Sequence, residues 1–182
     1  MAAEGRGGAG ALRARALTGL VVLAALLAAM PAAAAEGNSG SSPGGTGLPL
    51  PRFASLRADE VNLRAGPGVR YPVEWVYRRR GLPVQIIAEF DAWRKVRDWR
   101  GTEGWMHRSV LTGRRMALVT AAEAVLRREP RAAAPAVARA ERGVVARLLA
   151  CAGAWCRIEA RGLGGWVERA GLWGMLPGEK LD

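Results

Sequence analysis

Residues 61–67 read Val-Asn-Leu-Arg-Ala-Gly-Pro, and residues 124–130 read Ala-Val-Leu-Arg-Arg-Glu-Pro. The second stretch begins 63 positions after the first, and further matches follow in the same order at offsets of 63, 62 and 61. The matched tryptophans are Trp93 with Trp155 and Trp105 with Trp166. Such an ordered series of matches indicates a tandem repeat with units of about 60 residues.

Each unit carries the signals of short strands. In the first unit, residues 73–77 and 84–90 are rich in Val, Ile and aromatic residues, as strands usually are. Gly and Pro at residues 81–83 mark the turn between them, and those at residues 66–68 mark the turn before residue 73. Further strand candidates are residues 59–63, 93–99 and 105–107, with residues 109–111 closing the unit. Four to five short strands per unit predict a small β-barrel or sandwich.

One segment of the second unit supports a competing prediction. Residues 132–149 are rich in Ala, which favours a helix. Pro130, Pro135 and Gly143 oppose a long helix there, because proline disrupts helix interiors.

Length and composition exclude several classes of protein. The chain has 182 residues, half of them hydrophobic, which suits one or two small domains and excludes a large enzyme or global disorder. One His and two Cys are too few for the usual four-ligand Cys/His metal site. The net charge of +11 raises the possibility of nucleic-acid binding.

The first 35 residues predict a secretory signal peptide. Three Arg residues precede an apolar core at residues 17–30, and small residues at 33–35 provide a cleavage site. The alternative is an uncleaved single-pass anchor. Residues 36–52 predict a linker rich in Gly, Ser and Pro. The predicted domains are residues 53–115 and the more degenerate residues 116–177, followed by a C-terminal tail at residues 178–182.

The first unit resembles the bacterial SH3 family, in the variety found in secreted proteins, often as tandem copies. The resemblance rests on the Asn-x-Arg-x-Gly-Pro element of residues 62–67, on Tyr-Pro-Val at residues 71–73 and on a later Gly-Trp pair. In the second unit Val125 replaces the Asn and Glu129 replaces the turn Gly. The structural motif comprises Asn62, Arg64, Gly66, Pro67, Trp93, Gly104, Trp105, Trp155, Gly165 and Trp166.

The resemblance implies an all-β chain of two tandem SH3-like small β-barrels after the signal peptide and flexible linker. It also implies modules that bind peptides or cell-wall material, without catalytic residues, a metal or another cofactor. The only histidine, His107, belongs to a different unit from the two cysteines, so a Cys–His catalytic pair is not expected.

The two cysteines predict a disulfide. Cys151 and Cys156 align with Glu89 and Arg94, on either side of the hairpin turn of the first unit. Facing cysteines in an exported protein favour a disulfide, with free thiols as one alternative. A redox-active pair is the other alternative, although four intervening residues do not match the usual dithiol motif.

The aromatic residues that lack an aromatic counterpart in the other unit are the candidate ligand contacts, because Tyr and Trp supply large, rigid contact areas. They are Tyr71, Trp75, Tyr77 and Trp99. The alternative is that they fill local gaps. The tryptophans matched between the units are expected to have a structural role in each core.

Basic residues lie close to these aromatic residues. The first unit has a net charge of +6 and the second a net charge of +3. Arg78, Arg79 and Arg80, with the Arg and Lys residues of 94–100 and 114–115, predict a basic face for acidic peptides or anionic polymers. The alternative is an ordinary solvated strand face.

These observations together predict an exported binding module for an envelope protein, a peptide or peptidoglycan. The alternatives are a structural or regulatory module of the envelope and, less favoured, an accessory of a cell-wall hydrolase or a nucleic-acid binder. Export from the cytoplasm argues against nucleic acid, and cleavage of the signal would leave no transmembrane span.

Overall fold

The computed structural model describes residues 45–181. The predicted signal peptide and residues 36–44 of the predicted linker lie outside the described residues. Within residues 45–181, no helix is long and apolar enough to cross a membrane.

The described residues form two seven-stranded sheets with the same topology. The first sheet consists of β1 (Arg52–Leu56), β2 (Val61–Arg64), β3 (Val73–Tyr77), β4 (Pro83–Phe90), β5 (Trp93–Arg97), β6 (Glu103–His107) and β7 (Leu111–Thr112). The second consists of β8 (Met116–Val119), β9 (Glu123–Arg127), β10 (Ala136–Glu141), β11 (Val145–Ala152), β12 (Trp155–Ala160), β13 (Leu163–Glu168) and β14 (Leu172–Trp173). The strand orders are β3-β2-β6-β5-β4-β1-β7 and β10-β9-β13-β12-β11-β8-β14, which confirms two tandem all-β domains.

The structure settles two segments for which the sequence gives competing or incomplete predictions. The Ala-rich segment at residues 132–149 is not helical, since β10 and β11 occupy most of it, separated by a turn at Gly143. Residues 109–111, which close the first unit, comprise the end of a single 3-10 turn at Arg108–Val110 and the first residue of the short β7. The second repeat has the equivalent turn at Arg169–Gly171.

Each repeat encloses its own core of aliphatic side chains. Leu63, Val84, Val96 and Met106 are at most 1% exposed in the first core. Burial alternates along β5, where Arg94 and Val96 face inward. The sequence does not alternate cleanly there because the inward Arg94 is charged and has a buried partner, described below.

Two residues of the shared motif shape the long hairpin between the second and third strands of each repeat. The Nη1 of Arg64 donates to the carbonyl of Tyr71 at 2.7 Å, and the Nη1 of Arg127 donates to the carbonyl of Ala134 at 2.8 Å. These positions are equivalent in the two repeats. In both repeats this arginine therefore stabilises the end of the hairpin loop through a hydrogen bond to a backbone carbonyl.

The glycine of the Gly-Trp pair allows two strands to approach closely. A Cβ atom built on Gly104 would lie 2.5 Å from the Cγ of Leu63, and one on Gly165 would lie 2.9 Å from the Cβ of Leu126. Real Cβ atoms essentially never show such short contacts. Any side chain at either position would push the strand away from the core.

The two repeats pack against each other within one compact unit. Leu118 of β8 is 3% exposed and belongs to the core of the first repeat, against which Val145 and Trp173 also pack. The rings of Phe53 and Trp173 meet edge to face, with 5.2 Å between centroids. The first repeat therefore buries part of its surface against the second.

Candidate functional site

Trp75 stands on the edge of the first sheet. It lies on β3, the last strand of its sheet, and its side chain is 52% exposed. Its neighbours Val73 and Val76 are 42% and 37% exposed. The half-buried Tyr71 lies just before the strand. We call these four residues the Trp75 surface.

The equivalent strand of the second repeat does not carry this surface. The positions of Val73 and Trp75 are occupied in β10 by two alanines, and that of Val76 by an arginine. Val137, which is 43% exposed, is the large apolar side chain that β10 displays. The exposed aromatic edge is thus a property of the first repeat.

Tyr71 and Gly66 form a close contact at the base of this hairpin. A Cβ atom on Gly66 would lie 2.5 Å from the Cδ1 of Tyr71, so the ring packs directly on the glycine. The guanidinium of Arg70 lies 5.3 Å from the centre of the same ring. The glycine of the motif therefore sets the position of the aromatic ring beside the loop.

Tyr77 is a correction to the sequence prediction. Its side chain is only 4% exposed, and its hydroxyl donates to Oδ2 of Asp98 at 2.9 Å. Burial, together with the hydrogen bond to Asp98, raises the pKa of Tyr77 above its ordinary value. The other carboxylate oxygen of Asp98 accepts the backbone N–H groups of Arg100 and Thr102. Tyr77 is therefore a core residue that supports the β5–β6 turn and not a ligand contact.

Trp99 lies at the border of the first core, beside the buried Tyr77. It is half-buried and packs against the first core, with its ring centre 6.5 Å from that of Tyr77. The guanidinium of Arg100 covers the ring at 5.5 Å from its centre. The structure thus places Trp99 beside the core, next to Tyr77, whose ring centre also lies 6.5 Å from that of Trp75.

Arg78, Arg79 and Arg80 are exposed, and each has a polar partner within the protein. Arg78 and Arg80 form ion pairs with Glu60 and Asp59 at 3.6 and 3.2 Å. The Nη1 of Arg79 donates to the carbonyl of Gly143 in the second repeat at 2.6 Å. Exposed ion pairs of this kind contribute at most about 1 kcal/mol, so Arg78 and Arg80 remain available to a ligand. Arg79 helps to join the repeats.

The basic face predicted around residues 94–100 is wrong in part. Arg94 is 3% exposed and lies inside the first repeat. Lys95 and Arg97, which face outward, both pair with Glu103. The three basic residues of 94–97 are therefore each paired with a carboxylate of the first repeat.

The matched tryptophans are also placed differently from the prediction. Trp93, Trp105, Trp155 and Trp166 are half-buried on the outer faces of their sheets. On β6, for example, Trp105 faces outward because Gly104 and Met106, one position on either side of it, are the buried ones. The matched tryptophans therefore lie outside the two cores, whereas matched aliphatic residues such as Leu63 and Leu126 lie within them.

The disulfide is confirmed, and its counterpart in the first repeat is a buried ion pair. Cys151 and Cys156 are bonded and face each other across the β11–β12 hairpin. Glu89 and Arg94 face each other across β4 and β5 in the same register, with 3.0 Å between the Nε of Arg94 and a carboxylate oxygen of Glu89. In the second repeat a disulfide therefore links this pair of strands, whereas in the first repeat a buried ion pair links the equivalent strands.

The carboxylate of Glu89 has further partners. It accepts hydrogen bonds from Arg52 and from Thr46, a residue of the predicted linker. Burial alone raises the pKa of Glu89, but the hydrogen bonds from Arg52 and Thr46 outweigh that effect and lower it to about 2. Ordered contacts therefore begin before residue 53, where the sequence first predicts structure.

The C-terminal tail packs at the equivalent place in the second repeat. The backbone N–H of Cys151 donates to the carbonyl of Leu181 at 2.9 Å, and Arg115 pairs with Glu179. Arg115 occupies the position that Arg52 has in the first repeat. Each repeat is thus supported at this corner by a segment from one end of the described chain.

Comparison with known proteins identifies both repeats. Residues 57–113 and residues 120–174 each match a family model described as the bacterial SH3 domain. The chain is similar to the solved structure of NlpC2 from Trichomonas vaginalis, with 16% identity over 68% of this chain and 48% of that chain and a TM-score of 0.32. It is also similar to an NlpC/P60 family protein from Bacillus cereus ATCC 10987, with 16% identity over 66% of this chain and 55% of that chain and a TM-score of 0.30.

This chain spans about half the length of those solved structures. No curated protein matches it.

Proposed function

Because this chain belongs to the bacterial SH3 domain family, with two such domains in tandem, we propose that it is an exported, non-catalytic module that binds an extended peptide through the Trp75 surface. Bacterial SH3 domains are in general modules that bind cell-wall material or peptides, and they occur in exported proteins. The Cys151–Cys156 disulfide is consistent with an oxidising compartment outside the cytoplasm.

The observation that carries the proposal is the exposed apolar edge of the first sheet. Within residues 45–181, β3 pairs with β2 on one side, and its other edge has no strand beside it. Proteins usually protect such edges with charges, proline or bulges, and here Glu74 and Pro72 supply the first two. Even so, three of the four consecutive exposed residues from Val73 to Val76 are apolar. Exposed apolar side chains grouped on one strand, with an exposed tryptophan among them, are typical of a surface that a partner covers.

An extended peptide suits this edge for two reasons. Its backbone can pair with the free N–H and C=O groups of β3, which gives affinity without a particular sequence. Its side chains can pack against Trp75 and Tyr71, which supply the large aromatic contacts common at binding hot spots. Arg78 and Arg80 lie next to the strand and favour acidic groups on the ligand.

The peptide can belong to an envelope protein or to the stem of peptidoglycan, since both offer an extended backbone. Sedimentation with purified peptidoglycan and pull-down from a solubilised envelope fraction separate these two sources. We expect retention by one of them that falls about ten-fold or more in Trp75→Ala, as for other hot-spot residues.

A matched control is available in the second repeat. Leu163 is 59% exposed, so Leu163→Ala removes a similarly exposed apolar side chain from another surface. This variant should bind like the unmodified protein. Equal loss in both variants, or no retention by either source, would exclude the Trp75 surface as the binding site.

A second candidate function is a structural or regulatory module of the envelope without wall binding. The packing of Leu118 and Trp173 against the first repeat favours it, because the second repeat then acts as a support for the first. In this case peptidoglycan would retain nothing at any salt concentration, while an envelope protein would co-purify equally with the unmodified protein and with Trp75→Ala.

Export itself is tested by the N-terminus of the secreted protein. We expect the mature chain to begin at Glu36, directly after the small residues at 33–35. An intact N-terminus on membrane-bound protein would support the uncleaved anchor instead.

A further inference from the structure

A groove of about 400 Å³ lies on the second repeat, away from β3, and the proposed function does not use it. It is bordered by β9, by the start of β12 and by the 3-10 turn at Arg169–Gly171. Its apolar lining includes Ala121, Val125 and Trp155. Ligand sites typically measure about 300–1,000 Å³, so the groove has room for part of a peptide.

Three charged residues also line the groove, and they differ in whether they form ion pairs or hydrogen bonds within the protein. Glu123 forms an ion pair with Arg139, and Arg127 donates to a loop carbonyl. The carboxylate of Glu168 has no ion pair or hydrogen bond within residues 45–181. Glu168 is thus the charge that a ligand can reach without displacing another group.

Glu168 and Trp155 lie side by side on the same face of the sheet. They are directly opposite each other in the β12–β13 pairing. Directly opposed residues of an antiparallel pair have Cβ atoms about 4.5–5.5 Å apart, so the two side chains can touch one ligand group together.

The first repeat shows that this carboxylate is not needed by the fold. The residue at the equivalent position is His107, which faces Trp93 in the same register. Its Nδ1 accepts the backbone N–H of Ser109 at the start of the 3-10 turn, and its ring packs edge-on against Trp93 with 5.4 Å between centroids. Glu168 makes no such capping bond, although it starts the equivalent turn.

We propose that the groove of the second repeat binds a basic side chain of a peptide, with its cationic group on the Glu168 carboxylate and its aliphatic stem on the Trp155 ring. A carboxylate forms strong charge-assisted hydrogen bonds with ammonium or guanidinium groups. An indole attracts the same cations and also packs against methylene groups. The site therefore selects positive charge, whereas the Trp75 surface is flanked by arginines.

The test measures the indole N–H signal of Trp155 by NMR during titration, with the signal assigned by its absence in Trp155→Phe. The probes are a blocked Gly-Gly-Lys-Gly-Gly peptide and the same peptide with norleucine in place of lysine. We expect the lysine peptide to shift this signal and the norleucine peptide to bind about ten-fold more weakly, because it lacks the charge.

Two substitutions at Glu168 test whether its carboxylate binds the cationic group of the lysine peptide. Glu168→Gln keeps the shape of the side chain and should weaken binding of the lysine peptide about ten-fold. Glu168→His installs the residue of the first repeat and should have the same effect at about pH 8, where imidazole is neutral. Glu159→Gln makes the same charge change elsewhere on β12, outside the groove lining, and should leave binding unchanged.

Three results would overturn the proposal. They are equal binding of the two peptides, an unchanged affinity in Glu168→Gln, and no shift of the Trp155 signal at about 10 mM lysine peptide, above the millimolar range expected for one side chain. Trp75→Ala should retain this binding. The outcome is therefore distinguishable from failure of the proposed function of the first repeat.

Discussion

The substitution Glu89→Gln tests how the first repeat is held together where the second has a disulfide. Glu89 is 5% exposed at its side chain and pairs with Arg94, which is 3% exposed. Removing its charge leaves the arginine buried without its main partner. Breaking one side of a buried pair typically costs about 3–5 kcal/mol.

The pKa of Glu89 gives a separate value for the stabilising effect of its charge, which here comes from the hydrogen bonds of Arg52 and Thr46. The folded protein lowers this pKa from 4.5 to about 2, and each unit corresponds to about 1.4 kcal/mol, so the charged form stabilises the fold by about 3 kcal/mol. Since the folded-state pKa is depressed, this stability is present above about pH 4.5. It is lost as the pH falls through about 2.

The assay is urea unfolding of the protein and of Glu89→Gln, followed by tryptophan fluorescence from pH 7 down to pH 2. We expect a difference of about 3 kcal/mol in the free energy of unfolding near pH 7, which shrinks below about pH 4.5 and nearly disappears at about pH 2. Glu74→Gln, at an exposed site on β3, is the control and should change stability by less than about 0.5 kcal/mol. A difference that stays constant with pH, or one no larger than that of the control, would refute the reasoning.

Three further predictions concern the supports of the two repeats. Reduction of Cys151–Cys156, which closes a loop between residues five apart, should lower the free energy of unfolding by about 2 kcal/mol, and a reductant that leaves the urea midpoint unchanged would show that the disulfide is dispensable. Tyr77→Phe should cost about 1–2 kcal/mol in the same assay because Asp98 loses a buried donor, while ligand binding is unchanged; weaker binding without loss of stability would return Tyr77 to the binding surface. Trp173→Ala should destabilise the protein by about 2–4 kcal/mol and expose Phe53 of the other repeat, whereas unfolding of the second repeat alone, with the first unaffected, would contradict the shared packing.

The fold follows from sequence because the repeated signals are local. β3 spans the predicted residues 73–77, and β4 begins one residue before the predicted 84–90, since Val and Ile residues bounded by Gly and Pro indicate strands directly. The pairing of Cys151 with Cys156 across two adjacent strands also follows from the sequence, because a hairpin turn lies between them. The Ala-rich segment at residues 132–149 leaves a helix as an alternative in the sequence. The structure has strands there because helix propensity is weaker than the pairing of β10 with β9 and of β11 with β12.

The candidate site is harder to predict because a match between repeats does not say which way a side chain faces. Tyr77 has no aromatic counterpart, yet it is buried, whereas the matched Trp93 and Trp155 lie on outer faces. The inward charges of Arg94 and Asp98 obscure the alternation that would have shown this. The groove beside Trp155 depends on the approach of β9, β12 and a 3-10 turn, which only the tertiary structure reveals.

The most direct test of the central claim is NMR mapping of the ligand that the sedimentation and pull-down experiments identify, either a soluble stem peptide from peptidoglycan or an envelope peptide. Binding through the Trp75 surface predicts that the largest amide and indole shifts fall at residues 71–76, with the Trp75 indole among them. It also predicts that Trp75→Ala abolishes these shifts. Largest shifts elsewhere in the first repeat, with residues 71–76 unaffected by saturating ligand, would contradict the account.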